Sequence, residues 1–210
     1  MESSEYRKAA WEWQIKKDDG AIRKRAYKAL DQMFRLLDAS SITEWTGSDQ
    51  YKKAKALFTY NTDQFDDAYP IDNAGQLYYK LVPFMDDYES TLQSMIGQTM
   101  YPVLKTTLKE EPSADQQKLI KLAQKSQVYR ALEKAALILP EEMLFSQDNI
   151  DYKLSTTDRE AVKEIRSKRF RNNALIFEQD LQTEVARQSA KDFNLDPLHG
   201  LKEGNKYVNL

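Results

Sequence analysis

The chain has no cysteine and a single histidine among its 210 residues. Disulfides, thiolate metal sites and cysteine nucleophiles are therefore excluded together. Glycine and proline are also scarce, with six of each. The glycines are scattered, none in a G-x-x-x-x-G-K or G-x-G-x-x-G setting, so neither kind of phosphate-cradling loop is present. H-E-x-x-H, G-x-S-x-G and Cys/His ligand clusters are missing as well. His199, on a Pro-to-Gly turn with no nucleophile or ligand near it in sequence, has the setting of a surface histidine. Apolar runs last only a few residues, too short for a membrane helix, and no membrane partner is expected. The opening MESSEYRKAAWEW has no signal-peptide core, which places the chain in the cytoplasm or in whatever the cytoplasm assembles. Missing motifs do not exclude catalysis. They do shift the expectation to a structural or binding protein, not an enzyme, with no cofactor and no metal.

What the chain has in abundance is charge. Charged residues make up 30% and hydrophobic ones 41%, a balance that suits long helices with one wet face. The expected fold is mainly α: an elongated helical bundle with a small β-hairpin inserted before the last long helix. Net charge is −2 overall but unevenly spread. Residues 1–60 carry 12 basic and 9 acidic side chains, whereas 61–112 carry 3 basic and 9 acidic. Only this second block has a field of one sign, and it repels a polyanion.

The clearest helix runs from Ser113 to Leu139 and stops at Pro140. Leu119, Leu122, Ala123, Tyr129, Leu132, Ala136 and Leu139 recur at spacings that stack them on one stripe. Ser113 or Asp115 offers an N-cap, and the all-apolar turns Ala135 to Leu139 are expected to be the most deeply buried part. Before it, Gln76 to Leu108 forms a second strong block with Leu77, Leu81, Phe84, Met85, Tyr88, Leu92, Met95 and Ile96 on one face. Pro83 belongs in its first turn or else kinks it, Gly97 ends it, and Pro102 opens a short helix. Asp86, Asp87 and Glu89 then fall near the helix N-terminus, where the dipole favours acids.

Towards the start, Glu5 to Leu37 reads as helix interrupted at Asp18-Asp19-Gly20. Ile22, Ala26, Ala29, Leu30, Met33, Phe34 and Leu37 supply its buried face, and Arg23, Lys24, Arg25 and Lys28 the opposite one. Trp11 and Trp13 need cover, from their own chain or from a neighbour. Ser41 to Glu44 has capping-box spacing, Ser48 or Asp49 caps the next short helix, and Thr59 to Asp72 reads as an acidic loop without calcium-loop spacing.

After Pro140 the period changes. Residues 143–154 alternate apolar and polar around Ser146 to Asn149, a hairpin signal. Thr157 to Glu160 is a capping box opening a helix that continues to Ala190, with Val162, Ile165, Leu175 or Ile176, Phe177, Leu181 and Val185 inward. Within it Arg166, Lys168, Arg169 and Arg171 surround Phe170 and form the best candidate for DNA contact, although such a face is commonly solvated or turned to a subunit. Three segments follow: an N-terminal helical segment at 1–60, a core bundle at 61–190 and a C-terminal arm at 191–210, too apolar for a solvated tail.

The helix LVPFMDDYESTLQSMIG with its following Tyr101-Pro102-Val103-Leu104 turn, then QVYRALEKAALILP, a short hairpin and a capped long helix together resemble a known arrangement. It is that of a family of uncharacterised proteins from Bacteroidetes phages and prophages, which look like head-to-tail connectors or neck-ring adaptors. The resemblance covers about Leu77 to Val185, rests on apolar pattern, and brings no catalytic residues. It implies a virion structural protein of the neck of a tailed bacteriophage, between head and tail, assembled in the bacterial host cytoplasm. Its partners would be further copies of itself in a ring, portal and tail or neck proteins, and DNA passing through the lumen. A ring needs heterologous contacts that close. Candidates for them are Trp11, Trp13, the hairpin residues Phe145, Ile150, Tyr152 and Leu154, and Phe193, Leu195 and Tyr207 of the arm. The alternative reading is a small cytoplasmic DNA-binding or regulatory helical protein.

Overall fold

The computed structural model describes residues 2–139 and 156–192. Among them are eight helices and no strand: α1 (Glu2–Ala39), α2 (Thr43–Thr46), α3 (Asp49–Ala56), α4 (Thr62–Ala68), α5 (Gly75–Ile96), α6 (Met100–Thr107), α7 (Ala114–Ile138) and α8 (Thr156–Asp192). The protein is mainly α, as composition and period predict. The expected hairpin at 143–154 and the arm beyond 192 lie outside the described residues.

Helix α7 is central. It starts at a full capping box, in which the Gln116 amide N–H donates to Ser113 Oγ and the Ser113 N–H to Gln116 Oε1. It then runs about 37 Å, packing most extensively on α8 and next on α5. Leu119, Ala123, Leu132 and Ala136 are buried as the stripe predicts. The last turns differ from expectation: Ala135 and Ala136 are buried, whereas Leu137 and Ile138 are 51% and 67% exposed. A helix flanked by two others buries two sides and leaves a third open, so an apolar end is not buried all round.

Two core clusters are threaded by the same three helices. One gathers Leu77 to Met85 of α5 and Val128 to Ala136 of α7 around Ala54, Leu57, Phe65 and Phe170. The other joins Leu92, Ile96, Leu104, Leu119, Ala123 and Leu181 around Phe58. Between them the non-helical Leu57 to Thr59 backbone is buried, which would strand its polar groups. Side chains from α5 and α7 supply partners. Gln124 Nε2 donates to Phe58 O at 3.0 Å, Thr59 N–H to Gln127 Oε1 at 3.0 Å, and Tyr78 OH to Thr59 O at 2.8 Å.

Several local expectations are corrected. Pro83 is not in the first turn; it lies inside α5 on the exposed side. It removes one N–H from the ladder, while its buried neighbours Tyr79, Leu81, Val82 and Met85 keep the helix together. Gly97 ends α5 with φ of 92°, a conformation that suits glycine. The acidic stretch Thr59 to Asp72 contains α4, capped by Asn61, whose side chain accepts from Gln64 N–H. Its one large apolar residue, Phe65, is fully buried. Asp66 folds the turn that follows, accepting from the backbone N–H groups of Ile71 and Asn73. Helix α2 has Ile42 at its N-cap and no side-chain cap, so Ser41 does not build a capping box. Ser48 does cap α3.

Helix α1 passes through Asp18-Asp19-Gly20 without interruption, because one glycine costs a helix only about 1 kcal/mol. Helix α8 is also continuous, and the predicted stripe is right at Phe177, Leu181 and Val185, which pack on the body, but not at its earlier apolar positions. Phe170, Ala174 and Leu181 are buried, whereas Ile165, Leu175 and Ile176 are 65%, 49% and 56% exposed.

Candidate functional site

Several charged side chains of the body are engaged with one another. Along α7 and α8, Arg130 grips Glu178 through two nitrogens at 2.6 and 2.8 Å, and Tyr88 OH donates to the same carboxylate. Burial and that carboxylate push the Tyr88 hydroxyl well above its ordinary value. Glu133 accepts from Arg130 and from Arg171. Nearer the far ends, buried Glu184 takes Lys118, Arg187 and Gln188, and Arg187 also reaches Asp115 at 2.7 Å. Those donors, Arg187 first, hold the Glu184 carboxyl far below its usual range. These are clasps between helices, with charge answered by charge.

The expected acidic cluster dissolves in the same way. Asp86, Asp87 and Glu89 lie mid-helix in α5, too far from its N-terminus for the dipole to explain them. Each has its own cation: Lys53 for Asp86, Lys134 for Asp87 and Lys105 for Glu89. Lys105 also donates to Ala56 O and stands 4.2 Å from the Phe58 ring centroid. Burial lowers its pKa, with Glu89 working against that shift. Among the described residues no group of three or more acids, histidines or cysteines could hold a metal.

The candidate DNA-contact residues divide between core and surface. Phe170 belongs to the core and touches the Tyr69 and Tyr129 rings. Arg171 pairs with Glu133 at 2.6 Å and Lys168 is near Glu164 at 4.0 Å. Arg166 is half-buried, while Lys168, Arg169 and Arg171 are exposed.

The arrangement left open is on α1. Its body side is well defined: Phe34 sits over Gly75, where any Cβ would come within 2.6 Å of Phe34 Cβ. Asp31 accepts from Gln76 N–H at 3.0 Å, replacing the cap that Ala74 cannot supply to α5. Asp38 accepts from Trp45 Nε1 and Tyr79 OH, and Phe34, Trp45 and Tyr79 pack ring against ring. At a turn of about 100° per residue, Ile22, Ala29, Met33 and Leu36 fall on the opposite side of the helix. Ile22, Met33 and Leu36 are 65%, 44% and 72% exposed. Ala29, Met33, Leu36 and Leu37 line an open groove of about 510 Å³ with Ser40 and Ile42. Trp11, also 72% exposed, continues the row towards the N-terminus.

Sequence reading placed Ile22, Ala26, Ala29 and Met33 in a buried face and did not single out Leu36 or Ile42. The signal was present: apolar residues at the end of α1 cover both sides of the helix, more than one neighbouring layer can bury. Of the other interface candidates, Trp13 is on α1 but its side chain is outside the described part. Phe145, Ile150, Tyr152, Leu154, Phe193, Leu195 and Tyr207 also lie outside it. No protein-family model, curated protein or solved structure matches this chain.

Proposed function

We propose that the chain is a non-enzymatic structural subunit that assembles with further copies of itself, and specifically a head-to-tail connector forming a ring under the portal of a tailed bacteriophage. The observation that carries the assembly reading is the outward face of α1, where Ile22, Met33 and Leu36 are exposed on the side away from the body. A contiguous apolar surface of this kind marks a place that another protein covers. The clasps on α7 and α8 support the same reading, because they commit Arg130, Glu133, Glu178 and Glu184 to holding helices together. The connector role rests on the apolar-pattern resemblance between Leu77 and Val185. Within that proposal, a hairpin at 143–154 and the arm from 191 are further contacts to neighbouring subunits, and portal and tail proteins are the outer partners.

The DNA-binding alternative loses ground from the geometry of its own residues, with Phe170 in the core and Arg171 paired to Glu133. Light scattering across a range of concentrations tests assembly. The wild-type protein is expected to gain mass with concentration. Leu36→Ser, a change at an exposed site that leaves stability within about 0.5 kcal/mol, is expected to shift that rise to higher concentration at unchanged helicity. A wild-type protein that stays monomeric throughout overturns the proposal.

A further inference from the structure

We infer that the outward face of α1 docks on a second copy of the chain, against the acidic surface formed by α4 and the turn after it. This rests on the assembly reading above and names the surface that completes it. Residues 21–39 carry five basic side chains and two acidic ones, and both acids, Asp31 and Asp38, are taken by the body. What remains to face a partner is basic: Arg25 and Lys28 are exposed on the flank of the Ile22, Met33 and Leu36 row. Two α1 helices meeting side by side in the same direction would bring like charges together, which disfavours a partner of the same kind.

The complementary surface is in the one strongly acidic block of the chain. Within 61–112 four of the nine acids are already answered, Asp86, Asp87 and Glu89 by lysines and Asp66 by backbone N–H groups. Asp63 and Asp67 are not: they are exposed, four residues apart on one face of α4, and make no ion pair among the described residues. Asp72, in the turn that follows, is exposed as well, with Arg35 of the same chain donating to its carbonyl oxygen at 3.4 Å, and the exposed Pro70 between Asp67 and Asp72 adds apolar surface. The α1 helix of the same chain is anchored at Phe34 over Gly75 with its apolar row turned away from the body, so a second molecule is needed to bring the surfaces together. Such a contact joins two different patches, the heterologous kind that propagates into rings.

Charge exchange tests it. Arg25→Glu with Lys28→Glu, and separately Asp63→Lys with Asp67→Lys, are each expected to weaken association roughly tenfold, measured by sedimentation at about 0.1 M salt. Combining all four changes is expected to restore association to within a few-fold of wild type. If the wild-type protein assembles but neither pair weakens it, or each weakens it and the combination restores nothing, the docking is wrong and the assembly reading stands. If the wild-type protein does not assemble, both fall. Circular dichroism checks folding of each variant, and Arg25→Gln with Lys28→Gln, expected to weaken association by a smaller factor, replaces the reversal should that fail to fold.

Discussion

Helices α1 and α8 are nearly the same length, 38 and 37 residues, and both are rich in charge, yet their places in the molecule are opposite. Helix α8 lies along α7 and buries even polar groups, among them Ser167 and Glu184. Helix α1 meets the body through Asp31, Phe34 and Asp38 and turns exposed isoleucine, methionine and leucine outward. Apolar content therefore does not tell which helix is central. What distinguishes them is how exposed basic side chains are met: Arg171 and Arg187 of α8 pair with Glu133 and Asp115 of α7, whereas Arg25 and Lys28 of α1 have no ion pair among the described residues.

The strongest way to break this contrast is to remove the body on which both helices depend. Leu132 is fully buried in α7, within the first core cluster. Leu132→Asp places an unpaired carboxylate there and is expected to cost about 4 kcal/mol or more, enough to unfold a marginal domain. Far-ultraviolet circular dichroism and a lost cooperative transition report it. A folded, cooperative Leu132→Asp protein would show that α7 is peripheral.

A smaller change separates the two helices. At Gly75 an added Cβ falls 2.6 Å from Phe34 Cβ, so Gly75→Leu forces α1 away from the start of α5. Overpacking of this kind costs about 2 kcal/mol, and here it also weakens the Asp31 contact with Gln76 N–H. The expected result is faster proteolysis within α1 at nearly unchanged resistance of the α7 and α8 body. Equal loss in both regions would mean that α1 is as integral as α8.

Much of the body was legible in the sequence. Ser113 as N-cap, Ser48, Gly97 and the Leu119 to Ala136 stripe all behave as their local chemistry predicts. Three features were hidden for physical reasons. Helix α4 has one apolar anchor, Phe65, and too few turns for a period to show. The phase of α8 is set by small Ala174 and by Phe170 inside a basic run, while the more conspicuous Ile165 and Ile176 face outward. The partners of Asp86, Asp87 and Glu89 come from other helices, and spacing along one helix cannot reveal them. For α1 the periodicity gives the helix beyond Gly20 and places Leu30, Phe34 and Leu37 inward correctly, but it assigns Ile22, Ala26, Ala29 and Met33 to the same buried face, since periodicity gives faces and not neighbours.

The finest prediction concerns how α8 is held. The Glu184 carboxyl, gripped by Arg187, Gln188 and Lys118, has its pKa lowered on folding. An acid so shifted stabilises the folded state wherever it is ionised in both states, which means above the ordinary carboxylate value of about 4.3. As pH falls below that value the unfolded chain takes up the proton first, and the stabilisation declines towards the much lower folded value. Glu184→Gln keeps the shape and some hydrogen bonding but has no charge to lose. Its melting temperature is therefore expected to be lower than wild type at pH 7, with the gap narrowing between about pH 4 and pH 2.5. A gap that stays constant over that range would assign the Glu184 clasp to packing instead of charge. Helix α8 would then be held by the same kind of contact as the Phe34 junction of α1, and the electrostatic half of the contrast between the two helices would rest on Arg130, Glu178 and Glu133 alone.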